Sequence, residues 1–288
     1  MTIPEKNTMS VPVGQAVLYR GGTVYSDADR FATAMLIEQG TVSWIGDEQG
    51  ADVHQRAGAS VVDLASRLLT PAFGDAMGAD GVPRSTWARN GVAVVLVDSG
   101  HVANPAGGQD LDLGASDVPA YIARNERARV VLHLDEASLG EVACIDPTTL
   151  DPQVDLASLA SQGMPFAFGT AASRPVSPWL RVQHALARAL SARAAFLAST
   201  RGVWRASTAP DAHVRGRIMV GSPATFAVWD DSELVTQVAD EHRSAWSSDA
   251  RAGLPPLPAL GALDDTTWQP PACLRTVIDG HVVFDALS

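Results

Sequence analysis

The sequence predicts an α/β fold: a β-rich part followed by an incomplete or shortened TIM-like (β/α) barrel. Three observations carry that expectation. Residues 15–63 read as short strands separated by turn pairs, the pattern of a sheet or sandwich. Residues 91–98 and 129–135 are near-continuous apolar runs, which fit parallel strands buried on both faces. The stretch from Pro71 to Thr200 then offers only about 130 residues, whereas an eight-unit barrel takes about 250, so roughly four or five units fit.

In chain order, residues 1–12 read as a disordered leader. Ala16-Val17-Leu18-Tyr19 runs into the turn pair Gly21-Gly22, and residues 33–38 and 41–45 face each other across Gln39-Gly40 with hairpin spacing. Gly46-Asp47 and Gly50 read as breakers, and Val61-Val62-Asp63-Leu64 closes the β-rich part. Residues 141–145 are a further strand candidate. Residues 155–162 predict a short helix with Leu156, Leu159 and Ala160 on one face, and residues 163–169 a strand entered through Gly163-Met164-Pro165. Gly- and Asp-rich 104–117 reads as a loop. Ser177 and Pro178 are helix-start signals for a helix with Val182, Leu186 and Leu190 on its apolar face. Ser191 caps a second helix that runs to Thr200. Residues 254–260, rich in Pro, read as a linker across the surface.

The balance of 21 basic against 32 acidic residues, net −11, excludes nucleic acid and anionic membrane as natural partners, since both require clustered cations. The Ala- and Arg-rich usage reflects a GC-rich genome. Cys144 and Cys273 lie far apart and make neither a metal-spaced cluster nor a disulfide framework; two buried thiols in a reducing cytoplasm is the expectation. No apolar run approaches the ~20 residues that span a bilayer, and residues 1–14 lack the apolar core of a signal peptide. The expected localisation is cytoplasmic.

The motif Leu68-Leu69-Thr70-Pro71-Ala72-Phe73-Gly74-Asp75-Ala76-Met77-Gly78-Ala79-Asp80 resembles the first barrel strand of the amidohydrolase superfamily. Its pattern runs Thr-Pro-Ala/Gly-Phe-Val-Asp-Ala-His-X-His, with both His on a catalytic metal. Gly216-Arg217-Ile218-Met219-Val220-Gly221 through Asp230 resembles the family's return into its β-domain, with Thr225 where Asp is usual. Residues 274–284 are similar to the closing hairpin. The resemblance covers roughly 15–80 and 163–286, is faint over 81–162, and points to long-chain, YtcJ-like members (amidohydrolase family 3) shortened internally. After the leader at 1–12, it implies a composite β-sandwich domain from 13–70 plus 205–288 and a truncated barrel-like domain over 71–204.

By that resemblance, the positions of the lost metal and catalytic groups are Met77 and Ala79, in place of the His pair, and Ala171, in place of the last-strand Asp that takes a proton from metal-bound water. The sole lysine, Lys6, lies in the leader, so no carboxylated-lysine bridge forms. Thioether and methyl groups do not hold a divalent ion. The expectation is a pseudoenzyme with no cofactor and no metal. Its vestigial cleft is lined by Asp75, Asp98, His101, His133 and Asp135, with Asp80 beside them, at or past the carboxyl ends of candidate strands, where barrels place catalytic groups. The rival expectation is a relocated metal site built on Asp98, His101, His133 and Asp135. His133 reads equally as a core histidine, Asp135 as a turn residue, His101 as a solvent-exposed loop residue and Asp75 as a hydrogen-bond partner at a strand end. His184 is expected to face solvent or a helix partner. A truncated barrel leaves apolar edges uncovered, so a homodimer or a covering protein subunit is the expected assembly.

Overall fold

A computed structural model describes residues 16–78, 82–99, 119–131, 138, 140–171, 177–230, 233–235 and 255–287. The leader, the 104–117 segment, and Ala79, Asp80, His101, His133 and Asp135 lie outside the described residues.

The chain begins with β1 (Val17–Arg20), β2 (Thr23–Val24), β3 (Ala34–Glu38) and β4 (Thr41–Gly46), followed by helix α1 (Glu48–Arg56) and β5 (Ser60–Asp63). Strand β6 (Leu68–Pro71) leads directly into β7 (Phe73–Asp75), then α2 (Arg84–Arg89), β8 (Val92–Val97), β9 (Ala120–Ala123), β10 (Ala128–Val130) and β11 (Val142–Ile145). Next come α3 (Leu156–Ser161), β12 (Phe166–Phe168), α4 (Pro178–Leu186), α5 (Ala192–Ser199) and α6 (Arg201–Arg205). The chain ends with β13 (Phe226–Asp230), β14 (Leu234–Val235), β15 (Leu257–Pro258), β16 (Ala272–Ile278) and β17 (His281–Asp285).

Two sheets carry the chain ends. One has the order β4-β3-β1-β5 and the other β17-β16-β13-β6-β2, so strands from near both ends share a sheet. Tyr19, Met35 and Ile37 of the first meet Leu69, Phe226, Val228 and Val277 of the second in one buried cluster. The β16–β17 hairpin turns at Asp279 and Gly280, both with positive φ, the geometry of a primed hairpin turn. Thr225 explains its departure from the usual Asp here. Its Oγ1 donates to Asp279 Oδ1 (2.9 Å) and accepts from Asp279 N (3.0 Å), fixing that turn.

Two further sheets, β7-β8-β9 and β10-β11-β12, are parallel throughout, as the apolar runs predict. They meet where Ala76 N donates to Phe168 O (3.0 Å). Among the described residues they do not close into a single barrel sheet. The chain leaves the five-stranded sheet at Pro71 and joins the parallel one at Phe73, with Ala72 between them. The largest core forms around that switch. Phe73 packs edge-on to Trp179, Phe196 and Trp229, with ring centroids at 5.0, 5.4 and 5.5 Å. Trp229 Nε1 donates to Thr70 Oγ1 (2.8 Å), locking β13 to the same switch.

Several sequence expectations need correction. The span from 15 to 63 is not wholly β, because Asp47 caps α1 by accepting from Gly50 N (2.9 Å). Gly46 does end β4, but Gly50 lies inside α1 rather than breaking the chain there. A Cβ on either would lie 2.4 Å from Trp44 Cζ2, so both make room for that indole. Of the expected surface linker at 254–260, residues 255–260 are described and do not form one, since Leu257 is buried in the main core and pairs with Val235. His184 is half-buried on α4, which does not contradict its expected place facing solvent or a helix partner; burial first, then Arg188, lowers its pKa. Of the 129–135 run only 129–131 are described, and Arg129 and Val130 fall in β10 as expected. Ser191 does cap α5, accepting from Ala194 N, and Asp155, read only as the start of a short helix, caps α3 by accepting from Ser158 N.

Candidate active site at the strand ends

Asp75 ends β7 and is fully buried. Oδ2 receives Arg181 Nη1 at 2.5 Å, and Oδ1 receives the backbone N–H groups of Gly78 (2.9 Å), Met77 (3.1 Å) and Thr170 (3.2 Å). Arg181, 1% exposed, comes from α4 and also donates to Thr170 Oγ1 (3.2 Å) and Gly74 O (3.1 Å). The pair thus ties β7, the end of β12 and α4 together. A buried ion pair persists only when its geometry is good and most of its remaining hydrogen-bonding groups are met. Here the carboxylate is fully used, and Arg181 Nε alone is left buried without a partner.

Glycine makes this close approach possible. A Cβ on Gly169, just past β12, would lie 2.4 Å from Met77 N, so the end of β12 presses on the backbone of residues 76–77. On the other side, Arg124 from beyond β9 donates to Ala76 O (2.9 Å), Leu96 O (3.0 Å) and Met77 O (3.4 Å), and its Nη2 reaches Asp98 Oδ1 at 2.5 Å. Asp98 is 70% exposed at its side chain. Asp146, buried past the end of β11, accepts from Ala171 N (2.8 Å) and from Thr148 Oγ1 (2.7 Å) and N (2.9 Å). Met77 is half-buried and Ala171 exposed, and both take part through their backbones.

The structure therefore brings Asp75, Met77, Asp98 and Ala171 to one edge of the parallel strands. It adds three residues that sequence reasoning missed: Arg181, Arg124 and Asp146. A signal for Arg181 was present. Pro178, Arg181, Val182 and Ala185 follow the i, i+3, i+4, i+7 spacing of a buried helix face, and a cation on such a face requires a buried anion.

A divalent ion needs converging carboxylate, imidazole or thiolate donors. The described residues at these positions do not fit one. Asp75 is saturated by a guanidinium and three N–H groups, two arginines already bring positive charge, and Met77 and Ala171 offer no usable donor. Among the described residues, no group of three or more His, Cys, Asp or Glu converges.

Cys144 in β11 is buried, but Cys273 is only half-buried rather than buried as expected; burial pushes the Cys144 thiol up to about 12 and the Cys273 thiol up to about 11. Thiolates, not thiols, are reactive. Both cysteines should resist 5,5′-dithiobis(2-nitrobenzoate) in the native protein at about pH 8 and react on unfolding in guanidinium. Rapid native labelling of either, followed at the chromophore, would contradict this burial.

The architecture is that of an α/β protein with its candidate site where parallel strands terminate. The structure is similar to that of enamidase, described as a member of the amidohydrolase superfamily (TM-score 0.55, 15% identity, covering 95% of this chain and 97% of that one). It is also similar to ochratoxinase from A. niger (0.56, 10%, 94% and 96%) and to a triazine hydrolase variant (0.53, 14%, 94% and 95%). No family model and no curated protein sequence matches the chain. At these identities the likeness establishes the fold, and the chain has the fold of the amidohydrolase superfamily. Among the described residues, no helix is long and apolar enough to cross a membrane.

Proposed function

We propose that this chain is a catalytically inactive amidohydrolase-like protein that acts by binding, as a scaffold or regulatory subunit. The observation that carries this reading is the Asp75–Arg181 pair: the framework carboxylate beside the family's metal position is spent on an internal guanidinium. In this reading residues 71–204 are a shortened barrel inserted in a β-unit made from 13–70 and 205–288. The molecule is a homodimer, or is covered by another protein subunit. Among the described residues β10 pairs on one side only, and an open strand edge favours association.

Elemental analysis of protein purified without chelator should find no stoichiometric Zn, Mn or Fe, and a panel of amide and ester substrates should show no turnover above background. Light scattering at micromolar concentration should give a dimer, or a pull-down a stable partner. One molar equivalent of tightly held metal, or a partnerless monomer, would overturn the corresponding half of the reading.

A relocated metal site is the second reading, favoured by one observation: the Asp98 carboxylate is exposed at the end of β8. It requires that metal and hydrolysis be lost together in His133→Ala.

A further inference from the structure

We propose that a groove on the opposite edge of the parallel strands binds an amphipathic organic oxyanion, a carboxylate or phosphate carried on an apolar body. β12 runs from this groove at Phe166 toward Thr170 at the strand-end cluster, so the two places are separate. The groove measures about 710 Å³, within the range of about 300–1,000 Å³ typical of small-ligand sites. Its apolar floor comes from Met164 and Phe166 at the start of β12 and from Leu197 and Ala198 of α5. Its rim is cationic at Arg201 and Arg205 from α6 and at Arg217 from the following segment, with the His213 ring beside them.

Close backbone approaches build this arrangement. Gly202 places α6 against β12, since a Cβ there would lie 2.4 Å from Phe166 O. Gly216, at φ +69°, brings residues 215–217 onto the start of α6, where a Cβ would lie 2.8 Å from Arg201 N. Arg215 and Arg217 are thereby held beside Arg201 and Arg205.

The positive charge is only partly neutralised. Arg215 is committed to Asp211 (2.7 Å) and Asp279 (2.7 Å). Asp27 is shared between Arg193 at 3.3 Å and Arg201 at 3.8 Å. Among the described residues, no carboxylate lies within 4.0 Å of Arg205 or Arg217. Among the described residues, Arg217 donates only to Met219 Sδ (3.7 Å), a weak acceptor, and its Nε is buried without a partner there. Burial, then the field of Arg217, lowers the Arg201 pKa, with Asp27 opposing and Arg205 and Arg193 adding to the depression. Like charges gathered over an apolar floor, in a chain of net charge −11, run against the protein's own electrostatic balance. An oxyanion relieves that repulsion through charge-assisted, bidentate guanidinium bonds, while an attached apolar group covers the floor.

The test is calorimetric titration of the full chain, at low ionic strength, with phenyl phosphate, phenylacetate, inorganic phosphate and benzyl alcohol. At least one aryl anion should saturate a single site about tenfold more tightly than either inorganic phosphate or benzyl alcohol, and salt should weaken it. Which aryl anion binds distinguishes a phosphate monoester from a carboxylate. Arg205→Gln/Arg217→Gln should weaken that binding about tenfold or more, as should Ala194→Glu, which sets a carboxylate in the groove wall. Aryl anions that bind no more tightly than inorganic phosphate overturn the proposal, and this comparison needs only the unmodified chain. Unaltered affinity in both folded variants also overturns it.

Discussion

Arg181→Met should destabilise the protein by about 3–5 kcal/mol, because it leaves the Asp75 carboxylate buried without its counter-ion. Urea denaturation followed by circular dichroism reads this as a lower midpoint at nearly constant slope. Asp75→Leu should cost at least as much, since it also strips the N–H groups of Met77, Gly78 and Thr170 of their acceptor. The double variant should be far less damaging than the sum of the two, the mark of residues that act as a pair. Additive losses would mean that the two side chains contribute independently, and the strand-end cluster would lose its central contact.

Phe73→Ala should cost about 3–5 kcal/mol, the usual penalty for emptying a buried aromatic position. The effect should not remain local. Phe73 touches Trp179 from α4, Phe196 from α5 and Trp229 from β13, so the cavity opens where the five-stranded sheet hands the chain to the parallel strands. Near-ultraviolet circular dichroism, dominated by such packed indoles, should weaken along with the thermal midpoint. Phe31→Ala is the control. Phe31 is 60% exposed and lies under the Arg30 guanidinium, so its loss should stay within about 0.5 kcal/mol. Equal effects from both substitutions would contradict the packing at the switch.

What the sequence made legible follows from which signals are local. Ser191 announces α5 because a cap is a short-range hydrogen bond. The β8 run Val92–Val97 is readable because burial on both faces leaves no polar position. Helix α1 was hidden because Gly46 and Gly50 carry the ordinary signature of a break. Their actual role is to clear space for Trp44, which in turn meets His54 at 4.7 Å between ring centroids. Leu257 was hidden by the prolines around it; its burial depends on β14, a strand of only two residues.

The candidate site was half legible. Asp75, Met77 and Ala171 could be found from the motif they interrupt or complete. Arg181 lies 106 positions from Asp75, and Arg124 lies 48 positions from Ala76, so neither partnership leaves a local trace. The burial of Arg181 on an apolar helix face was the one available clue. Ala79, His101, His133 and Asp135 lie outside the described residues, and their expected roles rest on sequence alone.

A crystal soaked in zinc and measured at the zinc absorption edge addresses the strand-end cluster most directly. An internally neutralised carboxylate predicts no anomalous peak within coordination distance of Asp75, and continuous density joining its carboxylate to the Arg181 guanidinium. An anomalous peak on Asp75, with Arg181 turned away, would show that this fold still holds a metal ion at its strand ends.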